Sequence, residues 1–164
     1  MSKYLLFKKL KSLDRGFTLI ELLVVVIIVG VLAAVSMPNL LAQIGKARET
    51  EASSQLGAVG RSQRAYHFET KTFAPSMSSL GQNIAVTSGY YNFPDPAVAN
   101  NSIVKHQAIA NAPHNLSSRN FAVGVYYDSG SYLSTLCRAA APLSVVNVPD
   151  TLSDSCTNNG ITIK

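Results

Sequence analysis

The chain has 164 residues, nearly half of them apolar, and a formal net charge of +5. That charge is unevenly placed: residues 1–16 hold Lys3, Lys8, Lys9, Lys11 and Arg15 against Asp14, which leaves only +1 for residues 17–164. A basic working surface for nucleic acid is therefore not what the basic balance describes, because such binding needs the cations clustered on the folded body.

Behind the basic leader, Phe17 to Met37 forms a run of 21 residues whose only charge is Glu21. At 1.5 Å per residue this is about long enough to cross a hydrocarbon core of roughly 30 Å. The positive leader holds its own side in the cytoplasm, so the expected topology is N-in, C-out. An ordinary secretory signal is the competing account. Ala33-Ala34-Val35-Ser36 offers small residues for cleavage, but the apolar run is longer than the usual 7–15 residues or so of a signal core.

Glu21 is the residue that lipid cannot explain. A carboxylate at the centre of a membrane helix costs roughly 2.5–3.5 kcal/mol on insertion scales, and less near an end. If the chain were cut between Gly16 and Phe17, the new α-amino group would lie one helical turn from Glu21. That amine is largely protonated at neutral pH. It can neutralise Glu21 within one chain or between staggered neighbours. The alternative on physics alone is a carboxylate near a helix N-terminus, stabilised by the macrodipole.

Gly16-Phe17-Thr18-Leu19-Ile20-Glu21, behind a charged leader and ahead of a long apolar helix, resembles the type IV prepilin processing motif. The resemblance extends more weakly through Pro38-Asn39-Leu40-Leu41 and Lys46-Ala47-Arg48-Glu49 to about residue 75, in wording similar to cyanobacterial pilins. It implies that a membrane peptidase and methyltransferase cuts after Gly16 and N-methylates Phe17. It also implies that Glu21 neutralises the Phe17 amine of a neighbouring subunit during assembly into a homo-oligomeric filament. An inner-membrane platform and a cytoplasmic ATPase are implied partners, with membrane lipid around the helix beforehand. The implied localisation is the inner membrane first and a surface pilus after assembly. A pseudopilin of a type II secretion system shares the motif and is the close alternative. The aromatic loops and the cysteine pair favour a pilin.

Gly30 and Pro38 bracket a weak stretch of the apolar helix. Pro38 lacks an N–H and clashes with the carbonyl of residue 34, while Gly30 adds backbone freedom. An ordinary proline kink is one reading; the family resemblance implies that this stretch melts in the filament. Past Pro38 the pattern becomes amphipathic. Leu41, Ile44, Ala52, Leu56, Val59 and Tyr66 recur on one face at 3.6 residues per turn. Arg48 falls on that apolar side without an evident reason. Gly45, Gly57 and Gly60 weaken intrinsic helicity, so packing must help hold this half.

The expected organisation is a leader at 1–16, a membrane or filament-core helix at 17–38, an amphipathic half at 39–70 and a head at 71–164. The fold class is α+β, a long helix on an antiparallel sheet of three to five strands. Strand candidates are Tyr90–Phe93, Ile103–Ile109, Asn120–Tyr127, Tyr132–Cys137 and Ile161–Ile163, with a short helix near Met77–Leu80. Asp128-Ser129-Gly130-Ser131 marks a hairpin. The head is short for a core of its own and should recruit the helix face. In an exported chain, Cys137 and Cys156 read as a disulfide that closes a C-terminal loop, with two separate thiols as the alternative.

Three function classes follow. A structural filament subunit is favoured. A tip subunit that captures nucleic acid or another surface would need a basic or aromatic patch on a head with sparse charge. A tethered enzyme would need a convergent polar site. His67, His106 and His114 lack companions at ligand spacing and read as surface or turn residues; no nucleotide loop appears, and no cofactor or metal is expected. Asn100-Asn101-Ser102 and Asn115-Leu116-Ser117 match glycosylation sequons weakly.

Overall fold

The computed structural model describes residues 16–81 and 89–163, so most of the leader and part of the expected 71–88 connection lie outside the described residues. The chain divides after Asn39 into two compact units. In the first, Gly16–Thr18 are non-helical and α1 (Leu19–Thr70) begins, with every residue from Gly16 to Asn39 exposed. The helix is continuous through Gly30 and Pro38.

The second unit holds the rest of α1 and six short strands. These are β1 (Tyr91–Asn92), β2 (Val98–Ala99), β3 (Ile103–Ala110), β4 (Phe121–Asp128), β5 (Ser131–Arg138) and β6 (Ile161–Ile163). All pairings are antiparallel, in the order β1-β3-β4-β5-β6. Two-residue β1 and β2 both pair with β3, near its C-terminal and N-terminal ends respectively. β1 lies within the expected Tyr90–Phe93 strand, whereas β2 was not expected and brings the count among the described residues to six. β2 has no alternating apolar pattern that a sequence reading could detect. β4 and β5 form the hairpin expected across Asp128–Ser131, with Ser129 and Gly130 at positive φ in the turn.

β4 is buried on both faces from Phe121 to Tyr126. On one side, Phe121 and Val123 join Ala52 and Leu56 of α1, with Ala108 and Ala110 of β3. Gly60 brings the helix backbone against Val123 and Val125, where an added Cβ would lie 3.5 Å from Val125. On the other side, Ala122 and Cys137 pack with Ala139, Val146, Val148 and Cys156 of the C-terminal segment. Gly124 is required by that second layer: a Cβ there would come within 2.9 Å of Val148 Cγ2. The Tyr126 hydroxyl donates to the Pro149 carbonyl at 2.7 Å, and the Gln107 amide donates to the Val146 carbonyl at 3.2 Å. The layers are thus helix, sheet and an irregular C-terminal segment.

The buried face of α1 differs in part from the expected stripe. Ala52, Leu56 and Val59 are fully buried, but Leu41 and Ile44 are exposed and Tyr66 is half-buried. Contact with the sheet layer begins near Gly45, whose Cβ position lies 3.0 Å from the Ser117 carbonyl, so residues before it have nothing to pack on. Beyond Gly60 the stripe continues through Gln63 and His67, two polar residues in apolar positions.

Cys137 and Cys156 are bonded, with Cα atoms 5.8 Å apart, and tie the C-terminal segment to β5. Closing a loop of this size contributes on the order of 3 kcal/mol by restricting the unfolded chain. Replacing both cysteines by serine should lower the unfolding free energy of the detergent-solubilised full chain by about that amount, read from its urea midpoint.

Candidate functional site

The residues singled out by sequence, Gly16 to Glu21, sit where the extended chain turns into α1. Thr18 caps the helix: its Oγ1 accepts the Glu21 amide at 3.3 Å, and its carbonyl accepts the Leu22 amide at 3.3 Å. This is one half of a capping box, with Glu21 at the third helical position. The macrodipole and the cap therefore both favour a carboxylate here. Neither gives it a counter-ion; among the described residues Glu21 has no ion-pair partner. Phe17 is 73% exposed. Leu19 to Met37 spans roughly 28 Å of helix, and none of its apolar side chains is covered by the protein. A surface this apolar requires lipid or other apolar protein around it.

Gly30 has no neighbour within 4 Å of an added Cβ, so glycine there is not demanded by packing. Pro38 cannot donate to the Ala34 carbonyl, which removes one rung of the helical ladder in an exposed stretch. The weak segment is thus helical with little to hold it apart from its own backbone.

Of the three histidines expected at surface or turn positions, His67 and His106 are instead buried, while His114 does lie in a turn. His67 and His106 are each 2% exposed, and His114 lies half-buried in a short 3₁₀ turn, His114–Leu116. His67 Nε2 donates to the Asn101 carbonyl at 2.9 Å, which leaves Nδ1 to accept the Tyr132 hydroxyl at 2.8 Å. Its ring packs on Phe73 and Tyr127. Gln63 closes a pair of hydrogen bonds with the Ala74 backbone, accepting at 2.9 Å and donating at 3.2 Å. The same amide nitrogen donates to His106 Nε2 at 2.7 Å. These bonds fasten the chain after α1 to the helix and to β3. Among the described residues no group of three His, Cys, Asp or Glu is placed to hold a metal ion.

Arg48, unexplained by the helical pattern, has a partner in the head. Its Nη1 donates to His114 Nδ1 at 2.9 Å, and its guanidinium lies 4.3 Å from the centre of the Tyr90 ring. A cation over an aromatic face contributes about 0.5–2 kcal/mol, more when desolvated. The signal was Arg48 itself, a cation in a helical position that otherwise faces the core.

A model for type IV pilin-like G and H proteins matches residues 49–158, and one for the prokaryotic N-terminal methylation motif matches residues 11–37. The chain belongs to the type IV pilin-like G and H family. This pilin-like chain is 35% identical over 68 residues to the type IV major pilin protein PilA of Myxococcus xanthus, covering 42% of this chain and 31% of that protein. It is 40% identical over 77 residues to the type IV major alpha-pilin of Moraxella bovis, 46% of this chain and 48% of the relative. It is also 36% identical over 68 residues to the type II secretion system core protein G of Dickeya chrysanthemi, 42% and 44% of the two chains. The chain thus spans less than half the length of each of these relatives.

Burial lowers the pKa of His106 in the pilin-like head to about 4, against a smaller opposing influence of Asp95. The unfolded chain therefore takes up a proton near pH 6.5 that the folded chain refuses until about pH 4. Stability from the neutral imidazole is complete above pH 6.5 and is lost as pH falls through that window, by about 3 kcal/mol in all. His106→Gln should flatten this part of the stability profile relative to the wild type, measured by urea unfolding from pH 7 to 4.

Proposed function

We propose that this chain is a structural subunit of a type IV pilus, cut after Gly16, N-methylated at Phe17 and assembled through its N-terminal helix into a surface filament. The observation that carries this reading is Glu21: an exposed carboxylate with no ion-pair partner among the described residues, four residues from the implied new N-terminus, on an otherwise apolar stretch of helix. In a stack of offset helices, the Phe17 amine of one subunit neutralises Glu21 of the next. Only a correctly staggered neighbour achieves this, so the pair sets register. Before assembly the helix spans the inner membrane N-in, C-out. A prepilin peptidase and methyltransferase, an assembly platform and a cytoplasmic ATPase act on it there. In the filament the Gly30–Pro38 stretch melts, relieving the ladder that Pro38 already interrupts. The filament then serves adhesion, motility or DNA uptake.

A second reading is a pseudopilin of a type II secretion system, supported by the likeness to a core protein G from such a system. The two share processing and differ in the product: a long surface filament, or a short assembly needed for export.

Intact mass of the protein from its native host tests processing. The expected mass begins at Phe17, carries one methyl group and rises by two hydrogens on reduction. A mass that retains residues 1–16, or begins after Ala34, sinks the reading. Glu21→Ala should still be cut at Gly16 yet reduce sheared surface filaments by about tenfold or more, since an uncompensated amine is left in an apolar stack. Normal filaments from that variant would remove the assembly role.

A further inference from the structure

The net charge of +1 outside the leader conceals a strong segregation. Two neighbouring hollows, of about 510 and 320 Å³, run along the side of α1 that borders β5 and β6, and Ile163 lines both. The first is lined by Lys46, Arg119 and Arg138, and the second by Arg61 and Arg64. Among the described residues that line them, the only carboxylate is Glu49. That carboxylate is partly engaged: it accepts the Arg119 amide at 3.0 Å and lies 4.0 Å from Arg138 Nη1. Arg138 Nε is buried without a hydrogen-bond partner. Five cations thus face one occupied carboxylate along some five turns of helix.

The C-terminal segment has the opposite character. Residues 139–163 contain Asp150 and Asp154 and no lysine or arginine. Both aspartates lie in the exposed stretch 150–155, and Leu152 between them is 40% exposed. Asp150 meets Lys105 at 2.6 Å yet its side chain remains 91% exposed, and Asp154 accepts only the Thr151 hydroxyl at 2.6 Å. The part of this segment that flanks the loop, Val146, Val148 and Cys156, packs on the face of the sheet opposite α1, so within one copy the loop and the groove are separated by the sheet.

We infer that the 150–155 loop of one copy docks in the basic groove beside α1 of the next, its two aspartates among the arginines and Leu152 toward Leu136 and Ile163. The contact is heterologous, joining different surfaces of identical chains. Such contacts build open filaments when the rotation does not close. The groove offers no exposed aromatic platform, which single-stranded nucleic acid would use. The inference rests on the filament reading above, and it supplies that reading with a contact between heads.

Two experiments on the full-length chain test it. Zero-length carbodiimide coupling of sheared wild-type filaments, followed by peptide mass spectrometry, should join Lys46 to Asp150 or Asp154. Those groups lie on opposite sides of the sheet in one copy, so the link reports a neighbour. In parallel, Asp150→Lys with Asp154→Lys, and separately Arg61→Glu with Arg64→Glu, should each lower filament yield about tenfold while the disulfide-bonded monomer persists in the membrane. Combining all four should restore much of the yield. Filaments without the Lys46 link, or charge reversals that leave yield unchanged, overturn the docking and leave the filament reading intact. Groove reversal that spares filaments but abolishes their retention on heparin would likewise overturn it, assigning the groove to an outside polyanion. Absence of wild-type filaments would remove both readings together. If the fourfold variant fails to oxidise its cysteines, the wild-type cross-link alone decides.

Discussion

The head depends on the burial of β4 from both sides. A strand whose residues from Phe121 to Tyr126 are all buried cannot be stable with one face in water. Its two cover layers come from opposite ends of the chain: α1 precedes the sheet, and residues 139–160 lie between its last two strands, β5 and β6. Neither cover is a sheet or a bundle in its own right. Each is held by what it covers, so the helix, the sheet and the C-terminal segment stabilise one another. The disulfide belongs to this logic, because the irregular segment lacks a regular ladder of its own. Side-chain donors from Lys105, Gln107 and Tyr126 to its carbonyls supply part of what a ladder would have provided.

The helix side is fastened by polar groups where an apolar stripe would have sufficed for burial. Gln63 and His67 occupy core positions of α1, and each reaches a backbone or side-chain partner far along the chain. An apolar residue would bury as well, but it would tolerate sliding of the helix over the sheet. A buried amide that loses its partners costs about 1–3 kcal/mol, so these bonds define one axial setting. Arg48 adds a third restraint through His114 and Tyr90. Together these contacts fix one setting of the second half of α1 on the sheet.

The N-terminal unit obeys the reverse economy. Among its described residues the apolar surface is exposed, and the one carboxylate, Glu21, has no ion-pair partner. The chain belongs to the pilin-like G and H family, and the N-terminal methylation motif, residues 11–37, covers this stretch. The segregated charge of the head extends the same theme: a surplus on one face is matched by a deficit on another.

Much was legible in the sequence. Glu21 within an apolar run, the long helix, the β4–β5 hairpin, β3 and the cysteine pair each follow from local pattern or composition. Two-sided burial of β4 was written in its unbroken apolar run, Phe121-Ala122-Val123-Gly124-Val125-Tyr126. The roles of Gln63, His67, His106 and Arg48 were not legible, nor was the two-residue strand β2. Periodicity reports how a segment divides itself between water and core, and a polar residue in a core position simply weakens that signal. What makes such a residue stable is a donor or acceptor brought from elsewhere: 43 residues away for Gln63, 65 for His67 and 66 for Arg48. The sequence alone determined the membrane-length apolar run, its lone carboxylate and every strand but β2. Tertiary structure decided which polar groups are buried and which charges share a face, because both depend on distances between segments that no local pattern encodes.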